Sequence, residues 1–247
     1  MILFLIIAGF IAAFIDSVVG GGGLISLPAL LFTGMSPAQA LGTNKLASSM
    51  GSFTSMLTFM RSGKVNLSLV AKLFPLSLIG SAIGAYIAWS IPSEFLEPIV
   101  LILLVFVAIY TIKNKNWGRV STYGGLSKKS SVLIVLAAFV IGFYDGFLGP
   151  GTGSFLLFSF LLLGFDFVES AGNTKVLNFA SNLAALVTFS LLDSVHMTYG
   201  LIMGASMVVG AFVGARFAIR QGVSYIRVIF ITITVIFIGK NLWDYFM

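Results

Sequence analysis

Residues 9–23 read GFIAAFIDSVVGGGG, and residues 138–153 return the pattern as AFVIGFYDGFLGPGTG. In both segments an apolar stretch ends near an aspartate, Asp16 or Asp145, and a glycine-rich turn follows at once. Such a turn interrupts a helix, because glycine is unfavourable in helix interiors. The two segments therefore predict broken helices at equivalent places of a duplicated chain.

A second pair of segments lies downstream: GTNKLASSMGSF at 42–53 returns as GNTKVLNFASNL at 172–183. From Gly23 onward the copies keep one offset of 130 residues. The matched pairs include Gly23 with Gly153, Gly34 with Gly164, Lys45 with Lys175, Phe59 with Phe189 and Ala85 with Ala215. Duplication of a membrane unit with interrupted helices is typical of secondary transporters.

The composition predicts a membrane protein. Hydrophobic residues make up 58% of the chain and charged residues 9%, and the mean hydropathy is +1.07, whereas about a quarter of the residues of a soluble domain are charged. The absence of cysteine excludes disulfides, thiolate metal sites and thiol catalysis. Basic loops on one side of a membrane account for the net charge of +6, so nothing indicates a nucleic-acid partner.

Apolar runs alternate with short polar segments along the chain. The runs are 2–19, 24–33, 37–60, 67–91, 95–112, 131–148, 154–164, 167–192, 197–219 and 223–243. A span needs roughly 20 residues, so most runs qualify, but the two short runs cover only about half of a ~30 Å hydrocarbon core. We predict an all-α polytopic membrane protein of two homologous, inverted repeats, each a glycine-broken helical hairpin plus three transmembrane helices.

The predicted first repeat is 1–112, the second is 131–247, and a cytoplasmic linker at 113–130 joins them. Each glycine break is expected at membrane depth, where protein or a water-filled cavity must surround non-helical backbone. A surface turn between two complete crossings is the alternative.

Positive charge favours the first of these two arrangements. Lys and Arg concentrate in three segments, which hold Arg61 and Lys64; Lys113, Lys115, Arg119, Lys128 and Lys129; and Arg216, Arg220 and Arg227. Cytoplasmic loops carry this excess, and all three segments fall on one side if 1–33 and 131–164 are re-entrant hairpins. Both chain ends then lie outside, and the halves are inverted.

The residues expected to carry chemistry are polar groups inside these runs. Lys45 lies about 12 Å into the run that starts near Pro37, and Lys175 is its counterpart. An ionisable side chain at that depth costs at least ~2.5–3.5 kcal/mol and normally faces a cavity or a partner. A structural ion pair with Asp16 or Asp145, or snorkelling to an interface, is the alternative reading.

Each lysine belongs to a polar stripe at helical spacing. The stripes are Asn44, Lys45, Ser48, Ser49 and Ser52 in one copy, and Thr174, Lys175, Asn178, Ser181 and Asn182 in the other. Small polar residues in membrane helices often serve as packing contacts. A lysine in both stripes favours a lined pathway. The pairs Gly80 with Gly84 and Gly210 with Gly214 are interpreted as close helix-packing faces.

Asp16 and Asp145 have two interpretations: a proton carrier, or a cap that holds the glycine turn. The half helices that follow present N-terminal amides and positive dipole ends, which suit oxyanions. The candidate anion ligands in these turns are Gly21, Gly22, Gly23, Gly151, Thr152 and Gly153.

On these motifs the chain resembles the sulfite exporter TauE/SafE family of bacterial permeases, also called the toluene-sulfonate uptake permease family. The resemblance implies an inner-membrane carrier of sulfur-containing anions such as sulfite or sulfonates. It assigns Asp16, Gly20–Gly23, Asn44 and Lys45 to the first motif, and Asp145, Gly149–Gly153, Thr174 and Lys175 to the second. The second copy departs through Pro150, Thr152 and the order Asn-Thr before its lysine.

We therefore expect an alternating-access carrier of small sulfur anions, with proton coupling through Asp16 or Asp145. A cation-coupled uptake system or channel that uses the aspartates as ion ligands is the alternative. An intramembrane enzyme is disfavoured, because the chain has one histidine and no Ser–His or metal-binding arrangement. Accordingly no catalytic residue, metal or cofactor is expected. The expected partners are the anion and lipid, and a homo-oligomer is left open.

Overall fold

The computed structural model describes residues 1–90, 120–221 and 232. In the two long ranges the regular structure is entirely helical, as predicted. The eight helices are α1 (Ile2–Val19), α2 (Gly23–Leu31), α3 (Pro37–Arg61), α4 (Leu67–Ala88), α5 (Lys128–Phe147), α6 (Thr152–Leu162), α7 (Phe167–Leu191) and α8 (Met197–Gln221). The predicted helices at 95–112 and 223–243 lie outside the described residues, apart from position 232.

Local chemistry explains where the long central helices begin. Ser36 accepts a hydrogen bond from the backbone N–H of Gln39, and Pro37 occupies the first turn of α3. Asp166 does the same for α7 by accepting from Glu169 N–H at 2.8 Å. Caps of this kind satisfy helix N–H groups that have no partner within the helix. The two helices have 25 residues each and start 130 positions apart.

The helices α1 and α2 form a hairpin whose two ends lie on the same side. The rings of Phe4 and Phe32 are 5.9 Å apart between centroids, so the start of α1 meets the end of α2. At the other end, a methyl group on Gly22 would lie 2.6 Å from the carbonyl oxygen of Ala12. Thus α2 begins beside the middle of α1, which continues past it for about two turns, as its 18 residues require.

Contacts between helices fix their relative directions. The start of α3 meets the segment after α7 at Gly42 and Ser194, and the end of α3 meets the start of α7 at Phe59 and Gly172, so the two helices are antiparallel. Helix α8 runs parallel to α1 and to α3, whereas α4 runs parallel to α5 and to α7. Helices at equivalent positions of the two halves therefore point in opposite directions, which is the arrangement that an inverted repeat requires.

The predicted close-packing role of the paired glycines is confirmed. A methyl group on Gly84 would lie 2.0 Å from the carbonyl oxygen of Phe143 on α5, and one on Gly214 would lie 2.5 Å from that of Phe14 on α1. The last described helix of each half thus packs on the first helix of the other half. Small residues allow this backbone approach, and it is a common source of helix association in membranes.

Four described helices, α1, α4, α5 and α8, are long and apolar enough to cross a membrane. Helices α3 and α7 are long enough at 25 residues but are less apolar, because they carry the two polar stripes. Most of the stripe residues are buried between the other helices. The fold therefore places its polar helices inside and its apolar helices around them.

Candidate functional site

The two glycine turns meet in the protein interior. A methyl group on Gly20 would lie 2.3 Å from the carbonyl carbon of Gly153, and one on Gly153 would lie 2.6 Å from Cα of Gly20. Gly20 has a φ of +82°, and Gly151 a φ of +86°, in the left-handed region that glycine adopts without strain. Gly20, Gly151 and Gly153 are all buried. The alternative of surface turns is therefore wrong.

Lys45 forms an ion pair with the aspartate of the other half. Its Nζ lies 2.9 Å from Oδ1 of Asp145 and also donates to the backbone oxygen of that residue. The hydroxyl of Ser181 donates to Oδ2 of the same carboxylate. The side chains of Lys45 and Asp145 are 1% and 3% exposed, so this pair is enclosed.

Lys175 forms the reciprocal pair. Its Nζ lies 2.7 Å from Oδ2 of Asp16, and Oδ1 of Asp16 accepts from the backbone N–H of Gly22 at 3.2 Å. The lysine is 1% exposed, but the Asp16 side chain is 23% exposed. Asp16 therefore serves as the predicted acceptor for the turn and as an ion-pair partner at once.

These contacts distinguish between the interpretations of the lysines. Both lysines are 1% exposed and reach no interface, so snorkelling is wrong, whereas the ion pairing with Asp16 or Asp145 that was the other alternative is observed. Each pair joins one half of the chain to the other. An ion pair that is cut off from water is weak evidence for stability, since desolvation offsets much of the attraction. Its presence twice at the centre of a membrane protein is better explained by function.

A cavity lies between the glycine turns and the polar helices, with about 480 Å³ of empty space, open solvent included. It is lined by Ala12, Ala13, Asp16, Ser17, Gly21, Gly22, Gly23, Asn44, Lys45, Ser48, Gly51, Ser52, Asp145, Gly149, Gly151, Thr152, Gly153, Asn178, Asn182 and Met207. The first residues of α2 and α6 are among them, so two helix N-termini border the cavity.

The two stripes, the two aspartates and the six turn residues make eighteen candidates. Fourteen of them line this cavity, and Ser49, Thr174, Lys175 and Ser181 do not. Lys175 lies behind Asp16, and Thr174 is buried with no hydrogen-bond partner for its hydroxyl within the described ranges. The sequence reasoning did not name Met207, which comes from α8. It carries no pattern that separates it from lipid-facing methionines, so only the packing of α8 on α3 identifies it.

The stripe residues have two different roles. Asn44 accepts a 2.6 Å hydrogen bond from Ser26 on α2, which ties the half helix to α3. Ser49 donates to the carbonyl oxygen of Lys45 within its own helix, so its hydroxyl is internally satisfied. Asn178 and Ser48 line the cavity. The interpretation as a lined pathway and the interpretation as packing contacts therefore each apply to part of the stripe.

A further pair of contacts joins the halves at equivalent positions. The backbone N–H of Asn66 donates to Oδ1 of Asn173 at 2.7 Å, and that of His196 donates to Oγ1 of Thr43 at 2.9 Å. The two donors, Asn66 and His196, are 130 residues apart, and so are the two acceptors, Thr43 and Asn173. In the part of the chain that the structure describes, no group of three or more His, Asp or Glu residues could hold a metal ion.

Comparison with known proteins identifies the class as membrane transporters. A family model described as "Sulfite exporter TauE/SafE" matches residues 5–241. The chain is 38% identical over 236 residues to "Probable membrane transporter protein ORF9" of Sinorhizobium sp, covering 95% of this chain and 90% of that protein. It is 36% identical to a "Probable membrane transporter protein" of Haemophilus influenzae, covering 99% and 95%.

The chain is also 34% identical to "Probable membrane transporter protein YfcA" of Escherichia coli K12, covering 95% of this chain and 87% of that protein. No solved structure matches. The chain belongs to the TauE/SafE sulfite exporter family, and it is a multi-pass membrane transporter protein. Its relatives carry the names of transporters, a role that involves no catalysis.

Proposed function

We propose that this protein is a secondary transporter for small sulfur-containing anions, such as sulfite or a sulfonate, in the cytoplasmic membrane. It works by alternating access between two inverted repeats and is coupled to protons. The observation that carries the proposal is the central cavity. Two helix N-termini, the Lys45–Asp145 pair and Asp16 line it, and Lys175 pairs with Asp16 from behind.

The donors around the cavity suit an oxyanion. Helix N-termini have amides without a partner within the helix and carry a partial positive charge. The half helices begin at Gly23 and Thr152, and both residues line the cavity. Lysine ammonium groups add full charges. Sulfur oxyanions have several acceptor oxygens, so they can use amide and ammonium donors together.

The helix directions support alternating access. Equivalent helices point in opposite directions, and the turns that contact each other lie at the junction of the halves. Transporters built from inverted repeats bind substrate at this junction near the bilayer midplane. The family name supports a sulfur anion as substrate.

Binding of anions to the purified protein in detergent tests the proposal. Thermal stabilisation is measured with sulfite, sulfate, thiosulfate, methanesulfonate and chloride. A shift for one sulfur anion is expected. The shift should vanish in Lys175→Gln/Asp16→Asn. This double variant removes one ion pair and leaves neither of its charges without a partner. Lys129→Ala, a change at an exposed lysine, is the matched control and should keep the shift. Failure of every anion to stabilise the wild-type protein refutes the proposal.

One observation favours a second candidate, a cation-coupled system. The most accessible charged side chain of the two ion pairs is the carboxylate of Asp16, whereas both lysines are almost fully enclosed. A sodium ion could then bind at the carboxylate. Uptake into proteoliposomes that needs sodium, and that ignores an imposed pH gradient, would establish this candidate in place of proton coupling.

A further inference from the structure

The carboxylate of Asp16 occupies the donors that an oxyanion would use. Its Oδ2 accepts from the ammonium group of Lys175 at 2.7 Å, and its Oδ1 accepts from Gly22 N–H at the start of α2 at 3.2 Å. A lysine together with an amide at a helix N-terminus is a common anion-binding arrangement. The side chain also borders the cavity and is partly exposed to it.

The charges of the two ion pairs already sum to zero before an anion binds. Two lysines and two aspartates cancel, so an added anion would be an uncompensated charge in a site largely removed from water. Such a charge is costly there. The balance is restored if one proton joins Asp16, because the neutral acid releases Lys175 and Gly22 N–H to the incoming anion.

We propose, on the basis of the proposed function, that Asp16 holds the place of the transported anion, and that one proton enters its carboxylate for each monoanion bound. The substrate class is then a singly charged oxyanion such as a sulfonate. A dianion such as sulfate is rejected, because one of its charges stays unpaired. On release of the anion the proton leaves, and Asp16 pairs with Lys175 again.

The surroundings select Asp16 over Asp145 for this role. Asp145 contacts Lys45 and Ser181, and its side chain is 3% exposed. Its ion pair is therefore equivalent to that of Asp16 but is shielded from water. The charged groups facing Asp16 are Lys175 on α7 and, across the cavity, Lys45 on α3 and Asp145 on α5. Helices α2 and α6 carry no titratable residue, and the arginines of α8 in the described range, Arg216 and Arg220, are exposed.

The test is the affinity for methanesulfonate, which is a monoanion throughout, measured from about pH 5 to about pH 8. While the carboxylate of Asp16 is ionised, the apparent Kd of the wild-type protein should rise about tenfold for each pH unit, because each bound anion requires one proton. Asp16→Asn should bind with no pH dependence, and sulfate should bind more weakly than methanesulfonate at every pH.

Lys129→Ala, a change at an exposed lysine that does not line the cavity, is the matched control and should keep the slope with pH. If Asp16→Asn is too unstable to titrate, methanesulfonate should restore its melting temperature, because the anion pairs with the stranded Lys175; Asp16→Asn/Lys175→Gln should show no such rescue. A slope that survives in Asp16→Asn overturns the inference but leaves anion transport standing. Absence of methanesulfonate binding by wild type and Asp16→Asn alike would refute the proposed anion site itself.

Discussion

Replacement of Asp145 by asparagine should destabilise the protein far more than the same change at Asp16. Asp145→Asn leaves the ammonium group of Lys45 with no carboxylate, at a position that is 1% exposed. Removal of one partner of a buried ion pair typically costs about 3–5 kcal/mol, since the other charge stays buried. Asn keeps the size of the side chain, so little of the loss arises from packing.

The exposure of Asp16 reduces the corresponding cost in the other pair. Water reaches the 23% of that side chain that is exposed, next to the ammonium group of Lys175 at 2.7 Å, so it can partly solvate the charge that Asp16→Asn leaves behind. We expect Asp16→Asn to cost about 1–2 kcal/mol. The difference between the variants, about 1–4 kcal/mol, corresponds to about 2–16 °C in Tm for a chain of this size.

The assay is thermal unfolding in detergent without added sulfur anions, with Lys45→Gln/Asp145→Asn as the control. That double variant has no stranded charge, so it should recover most of the stability lost in Asp145→Asn. Equal melting temperatures for Asp145→Asn and Asp16→Asn would refute the reasoning, and so would a double variant that is as unstable as the single one.

Three further predictions concern other parts of the site. Gly20→Ala should abolish folding or strongly lower Tm, because a methyl group would lie 2.3 Å from the carbonyl carbon of Gly153. The control Gly34→Ala has a similar φ and nothing within 4 Å, so it should cost only about 1 kcal/mol of backbone strain. Equal Tm losses in the two variants would contradict the contact between the turns. Ser181→Ala removes the hydroxyl that donates to Asp145 and should lower the free energy of unfolding, measured by chemical denaturation, by about 1.5–3 kcal/mol. Ser49→Ala is the control and should lose less, because that hydroxyl bonds only within its own helix. Equal losses would argue against a charged acceptor. Burial raises the pKa of Asp166 and outweighs the backbone hydrogen bond from Glu169, which lowers it. The stability that Asp166 contributes is therefore fully present below its unfolded pKa and is lost as the pH rises through the folded pKa. Asp166→Asn should therefore gain Tm relative to wild type across the acidic range above about pH 4, and a Tm difference that does not change with pH would contradict this.

The helices and the membrane class could be predicted from the sequence because they depend on local pattern. The run predicted at 2–19 is α1, Ile2–Val19, and the run at 37–60 is α3, Pro37–Arg61. Hydropathy and the caps at Ser36 and Asp166 act over a few residues, so they are readable in a single chain. The glycine turns were visible for the same reason.

The choice of partners could not be read from the sequence. Lys45 pairs with Asp145 and Lys175 with Asp16, 100 and 159 residues apart, and the sequence left both aspartates open to each lysine. Each lysine pairs with an aspartate of the other half because the halves pack on each other, α1 on α8 and α4 on α5. Contacts of this separation depend on the assembled helices and leave no local periodicity.

The sequence by itself determined the broken helices, the polar stripes and the buried lysines, since helical spacing and the cost of charge in lipid act within one segment. Only the tertiary structure decided that the glycine turns touch, that one ion pair is closed while Asp16 reaches a cavity, and that Lys175 lies behind it. These features depend on how closely separate helices approach one another, and backbone contact at glycine sets that distance.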